Sequence, residues 1–481
     1  MHVGRIGLST LACCLLLRPP AAVAQTLPAG WPTVMELGMA DSPGGAAAMH
    51  DTAPFRFRYQ YLAGGVNTNH GWATWNTNAD FPTFYIQDSV AHGIIPVFTY
   101  YMLLQSTPAG GDESNADFTN LNNTATMTAY YNDLKLFFQK AGAFTGQRVV
   151  LHVEPDFWGY MQQRSTGDNA ASVPAKVSET GIALLQGLPS NVAGFAQAVV
   201  KLRDTYAPNV TLAYHLSVWG TNVDISISNP PDFTVDALAA RAASFYASLN
   251  ANFDISFAEF SDRDAAFKQI IYGDQGVSWW DANDFRRSAR FLKGFSTASH
   301  KRLVMWQIPY GNTRMLAQNN TWDHYQDNRV EWLLDDPTRA HLLAYKDAGV
   351  VAFLFGGGAD GVTCACDAAN DHVTNPAAID ANNMASELAS PGTAPSQVMR
   401  GSVPTLVTPY AGDDDGGFFR WRAWSYYQTG AMPLSGTSPP RTPTGLHVVS
   451  STSSALVLPA CGVDVDIPGE IVLPGLCEHA R

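Results

Sequence analysis

The chain is poor in charge and in cysteine, and each shortage narrows what it can be. Only 15% of the residues are charged, and 29 Lys and Arg stand against 42 Asp and Glu, a formal balance of -13. Nucleic acid is not expected as a partner, because phosphate backbones are gripped by clustered basic side chains. A neutral polymer such as a glycan is compatible with that balance. Hydrophobic residues reach 46%, which argues against disorder. Beyond the N-terminus no stretch approaches the ~18 apolar residues that a membrane helix needs. Several motifs are missing too. No Gly-x-Gly-x-x-Gly opens a helix after the first strand, so a dinucleotide fold lacks support. Neither a Gly-x-Ser-x-Gly elbow nor His-Glu-x-x-His occurs, which lowers serine-hydrolase and metallohydrolase readings.

Of six cysteines, Cys13 and Cys14 lie in an apolar run, Ile6 to Leu17, that follows His2 and Arg5 and leads to Ala-Ala-Val-Ala before Gln25. That is the layout of a secretory signal, with cleavage expected after Ala24. Residues 1–24 are therefore expected to be removed, and the mature chain to be extracellular or periplasmic, with no membrane segment. In such a compartment Cys364, Cys366, Cys461 and Cys477 are expected to form disulfides; their spacing fits no common zinc pattern.

What is present is alternation. Short β-rich apolar runs fall at Thr33–Met39, Phe55–Leu62, Ile94–Tyr100, Val149–Val153, Thr211–Ser217, Phe253–Glu259, Arg302–Ile308 and Val350–Phe355. Between them lie segments of helical period, among them Met127–Ala141, Val192–Tyr206, Val235–Leu249, Asp284–Ser299 and Asn328–Leu334, with a closing helix at Arg420–Thr429. This predicts an α/β fold of the (β/α)8 TIM-barrel type over residues 25–434. Ser, Pro, Gly and Thr dominate 435–445, a linker. Residues 446–481 are expected to form a short β-rich tail stapled by Cys461 and Cys477. The Pro443-Thr-Gly-Leu segment also resembles the opening of a fibronectin type III module.

In a barrel of this kind, chemistry sits at the C-terminal ends of the strands. The fourth run ends His152-Val-Glu154-Pro-Asp156-Phe-Trp158, with His152, Glu154 and Asp156 in one phase of the strand. The sixth ends Glu259-Phe-Ser-Asp262-Arg-Asp264, a second acidic rim. Strand one offers Glu36 and, just beyond it, Asp41. Paired carboxyls, one protonated as acid and one ionised, are what glycoside hydrolysis requires. Asp156 or Glu154 is expected as the acid and Glu259 as its partner, while Asp262 serves equally well as a helix cap. His152 and His215 could join Glu154 as metal ligands, but hydrogen bonding is their expected role, and no metal or cofactor is expected.

Val153-Glu154-Pro-Asp156 resembles the Glu-Pro-Asp motif of glycoside hydrolase family 6 cellulases. The stretches Gly356-Gly-Gly-Ala-Asp360-Gly-Val-Thr363 and Tyr214-His215-Leu-Ser217-Val-Trp219-Gly220 are similar to two further segments of that family. The resemblance implies a barrel fold, Asp156 as proton donor and Asp360 as a base-side carboxylate. The family's Asp-Arg-Asp-Cys segment has no upstream counterpart; Asp262-Arg-Asp264 lies downstream.

Large aromatics recur after most strands: Trp72, Trp75, Tyr100, Trp158, Tyr160, Trp219, Trp306 and Tyr310. Such rings stack on the CH faces of pyranoses, while polar neighbours such as Asn67, Asn76, His215, Gln307 and Asn312 bond the hydroxyls. These residues therefore predict a secreted glycoside hydrolase cutting a polysaccharide, with a β-glucan such as cellulose foremost. The rivals are a non-catalytic glycan-binding barrel and a metal-dependent hydrolase on the same fold.

Overall fold

In the computed structural model, which describes residues 25–261, 263–265, 268, 272–309, 327–356 and 418–435, eight parallel strands close into a barrel in sequence order. They are β1 (Glu36–Ala40), β2 (Phe57–Leu62), β3 (Ile95–Tyr100), β4 (Val149–Val153), β5 (Val210–Leu216), β6 (Ile255–Glu259), β7 (Leu303–Pro309) and β8 (Val350–Gly356). Every expected strand forms, and β4 keeps both of its expected ends. The (β/α)8 barrel read from the sequence is the fold of the chain. Among the described residues no helix is long and apolar enough to cross a membrane.

Strand alternation divides the core into two layers. Phe57, Tyr59, Val97, Val150, Ala213, Phe257, Val304, Trp306 and Leu354 fill the barrel interior, with Trp31 packed on Phe57 at 4.9 Å. The intervening residues, such as Phe98, Leu151, Val153, Leu212, Met305 and Phe353, pack outward against the helices. Strand β7 breaks the rule locally. Its register against β8 jumps between Met305 and Ile308, so Trp306 and Gln307 together oppose one residue, as in a β-bulge. Gln307 takes φ +53, while Ile308 returns to the outer layer.

The helices follow from caps and apolar spacing. In Val192–Tyr206, Val192, Phe195, Ala196, Val199 and Leu202 recur on one face and are buried, which is the stripe a barrel helix must hide. Asn191 starts it by accepting from the Gly194 N–H at 3.0 Å, and Pro208 follows its end. The barrel is closed by the helix Phe418–Gln428. Its Tyr427 hydroxyl accepts from the Leu37 N–H at 2.9 Å and donates to Glu36 Oε2 at 3.0 Å. Glu36, considered above as a rim acid, is the first residue of β1 and so belongs to the opposite, structural end. Burial pushes its carboxyl up to about 6. Asp41 does lie past the end of β1, but it is buried against the Arg58 guanidinium at 3.4 Å. The signal segment 1–24, the four remaining cysteines, the linker beyond Ser435 and the tail lie outside the described residues.

Candidate active site

The site is built on an abrupt stop to β4. The ladder runs one residue past the strand, with the Glu154 N–H donating to the Tyr100 carbonyl at 2.7 Å. The backbone then enters the left-handed region at Glu154 (φ +43) and, after Pro155, again at Asp156 (φ +65, ψ -42). The Phe157 N–H donates to the Pro155 carbonyl at 2.7 Å, so Asp156 stands at the centre of a γ-turn of the rare, strained kind. The helix Phe157–Arg164 begins at the next residue. An aspartate is therefore held on the rim by the shortest turn a chain can make.

Three strands meet over the barrel mouth. The carboxylates of Asp156 (after β4) and Glu259 (end of β6) and the His215 imidazole (β5) have ligand-competent atoms all within 4.8 Å of one another. His215 is fully buried and its Nδ1 lies 3.0 Å from His152 Nε2. His152 in turn faces Thr99 Oγ1 at 3.4 Å. Burial pushes His215 down to about 3 and also lowers His152, so both rings are neutral near neutral pH. The Trp219 indole N–H reaches Glu259 Oε1 at 3.4 Å. As expected, the two histidines bond each other; the acids beside His215 are Asp156 and Glu259 rather than Glu154. Among the described residues, these three side chains are a group with the donor set for a divalent cation.

Glu154 departs from the expectation for it. Its phase is inward, but the turn swings its carboxylate, fully buried, onto the backbone amides of Met102 and Leu103 at 3.2–3.4 Å. Burial outweighs those N–H donors and raises it to about 8. It is a neutral staple between β4 and the loop after β3, with no surface to present to a ligand. Next to it lies an acid absent from the sequence reading. Asp117, on the helix Glu113–Leu121, is buried with neither carboxyl oxygen hydrogen-bonded. Burial, and then the neighbouring acids, Glu113 foremost, raise it far above the carboxylate range. Glu113 itself accepts from the Tyr101 hydroxyl. Acids four apart on one helix face were the available signal for this pair.

The aromatic set divides in two. Trp72, Tyr100 and Trp158 are wholly buried and belong to the outer packing layer, contrary to their reading as sugar platforms. The Trp72 N–H and the Tyr100 hydroxyl both donate to Asp133 Oδ1, at 2.7 and 2.6 Å. The Trp158 N–H donates to the Val153 carbonyl at 2.8 Å. Trp306 is inside the barrel at 1% exposure, edge-on to His152 with centroids 4.7 Å apart; it floors the mouth and offers no free face. Trp75 is half-buried and packs edge-on against Phe81 at 4.9 Å. Tyr160 and Trp219 remain at the rim, half-buried, with ring centroids 4.7 Å apart; Gln307, in the bulge of β7, is half-buried too. Asp262, Tyr310, Asn312 and Asp360 lie outside the described residues.

No protein-family model and no curated protein matches the chain. Solved structures similar to it are glycoside hydrolases on barrels. A psychrophilic family 10 endo-β-1,4-xylanase superposes with TM-score 0.33 at 11% identity, covering 67% of this chain and 86% of that one. A β-glucosidase from Thermotoga maritima gives 0.38 at 10% identity, with 68% and 88% covered. A GH6 enzyme from Orpinomyces gives 0.31 at 12% identity, with 75% and 84% covered. Superpositions this loose say nothing about individual rim residues.

Proposed function

We propose that the barrel is a glycoside hydrolase acting on a polysaccharide, with Asp156 as the acid and Glu259 as its ionised partner. The observation that carries this reading is the approach of two carboxylates from β4 and β6, inside 4.8 Å, at the mouth. Inverting enzymes keep their carboxyls roughly 6.5–9.5 Å apart to admit a water, whereas retaining enzymes hold them at about 5–5.5 Å. Oxygens that approach within 4.8 Å are compatible with the retaining spacing, and retention is the course we take for this pair. Glu259 attacks the anomeric carbon while Asp156 gives its proton to the departing glycosidic oxygen. Asp156 then takes a proton from the water that cleaves the glycosyl–enzyme ester. An indole N–H on Glu259 suits an ionised oxygen. Neutral His215 positions the pair, and Tyr160 and Trp219 supply a ring face for a sugar.

A β-glucan such as cellulose is the first substrate to test, on the local likeness of Val153–Asp156 to family 6 cellulases; a base-side role for Asp360, the other residue that likeness singles out, belongs to an inverting course and not to this one. The N-terminal segment supports export with cleavage after Ala24. The test is reducing-sugar release from a panel of polysaccharides. Wild type should release sugar from at least one, and Asp156→Ala and Glu259→Ala should abolish release while glycan retention on an affinity gel persists. Silence of the wild type on the whole panel would sink the enzyme reading and leave a glycan-binding barrel.

A further inference from the structure

We propose that Asp156, His215 and Glu259 form a binding site for a divalent first-row cation of the zinc class. Two independent observations carry it. The first is convergence: one imidazole nitrogen and two carboxylate oxygens from three different strands lie within 4.8 Å of one another. The second is an orphaned donor atom. His215 is fully buried, its Nδ1 is engaged by His152 Nε2 at 3.0 Å, and its Nε2 has no hydrogen-bond partner. An unpaired ring nitrogen in the interior is costly unless something else takes its lone pair. A cation would do so, and Nε2 is the nitrogen that His152 leaves available.

The surroundings match what metal-binding histidines require. The His152–Thr99 chain fixes the orientation of the His215 ring, and the Trp219 N–H holds one oxygen of Glu259; such outer contacts orient first ligands and tune their affinity. The donor set selects the metal. Calcium takes six to eight oxygens and magnesium keeps most of its water, so neither is served by a buried imidazole with two acids. Zinc is commonly held by three nitrogen and oxygen ligands with a fourth position open.

The binding claim needs nothing from the hydrolase reading, but its consequence rests on it. A cation on Asp156 and Glu259 removes both the proton donor and the nucleophile, so it should inhibit glycan hydrolysis in competition with substrate, and a chelator should reverse this. The test is isothermal titration of chelator-treated full-length protein with zinc chloride, with cobalt chloride as a spectroscopic replacement. One saturable site is expected in the wild type. It should be weakened at least ten-fold in His215→Gln and Glu259→Gln. Asp156→Asn, a near-isosteric change at a half-buried position, provides a third variant, its fold checked by circular dichroism. Cobalt should give a spectrum of nitrogen and oxygen ligands without thiolate charge transfer. No saturable binding, or binding unchanged in all three variants, would overturn the proposal. Zinc binding with no hydrolysis of any glycan would leave the site standing and count only against the hydrolase. Hydrolysis that zinc raises would likewise keep the site and overturn the competition.

Discussion

Glu154→Gln separates a structural from a catalytic role for the first acid of Glu-Pro-Asp. In the fold this carboxyl is buried and raised to about 8, against an ordinary 4.5. Between those two values the folded protein keeps the proton while the unfolded chain has lost it. Stability is then complete below pH 4.5 and falls as pH rises toward 8, because the unfolded state binds fewer protons. At ~1.4 kcal/mol per pH unit, the interval amounts to on the order of 5 kcal/mol. Glutamine has no proton to lose and keeps a carbonyl to accept from Met102 and Leu103. Its substitution should cost about 1–3 kcal/mol at pH 5, where an imperfect amide replaces a neutral acid. By pH 8 to 9 that deficit should vanish or reverse. The assay is the urea midpoint of both proteins at pH 5, 6, 7, 8 and 9. Glu36 (about 6), Asp41 (about 7) and Asp133 (about 6) share the same direction, so both proteins lose stability with pH, and the difference between them isolates Glu154. Parallel pH curves would refute the reasoning, and loss of hydrolysis in a fully folded variant would return Glu154 to the catalytic pair.

Three further outcomes are expected. If Asp156 and Glu259 work by retention, Glu259→Gly should regain activity with added azide and release a glycosyl azide, seen by mass spectrometry; no rescue, with first product of inverted anomeric configuration by NMR, would reject the retaining pair. Trp219→Ala should raise KM for an oligosaccharide by roughly ten-fold or more through loss of a stacking face and of the donor to Glu259, whereas Trp72→Phe should leave KM unchanged and lower the melting temperature. Tyr427→Phe strips a donor from Glu36 and an acceptor from the Leu37 N–H. It should destabilise the barrel seam by about 1–3 kcal/mol in denaturant, and an unchanged midpoint would mean the seam is held elsewhere.

The strands were legible because a buried parallel barrel writes each one as a short apolar run between polar turns. Alternation sets Val149, Leu151 and Val153 on one face of β4 and His152 on the other, and the three valine and leucine side chains do pack outward while His152 stacks on the interior Phe257. The same rule, applied to β3, sets Tyr100 among the outward residues, and its reading as a platform gave residue type more weight than phase. Trp72 and Trp158 were beyond reach on type alone, since a large ring serves a helix–barrel junction as well as a cleft. Glu154 shows a different limit. Its phase was right, but two left-handed residues beside a proline redirected the side chain, and nothing in the spacing announces a γ-turn. The meeting of Asp156 with Glu259 was anticipated as two facing rims; their separation, and the imidazole beside them, depend on barrel curvature that no linear pattern carries. Asp117 stayed hidden because a helix acid is ordinarily solvated.

The γ-turn at Asp156 puts fold and chemistry at odds in one residue. A φ of +65 with ψ -42 costs an L-amino acid on the order of 1–3 kcal/mol, and glycine would be relieved of it. With Asp156 as the proposed acid, Asp156→Gly is a change that heat alone would select and a sugar substrate would select against. Directed evolution for thermal tolerance, run without an activity screen, should drift toward small residues here. A lineage freed from its substrate should lose this acid early, keeping a sturdier barrel that no longer cuts.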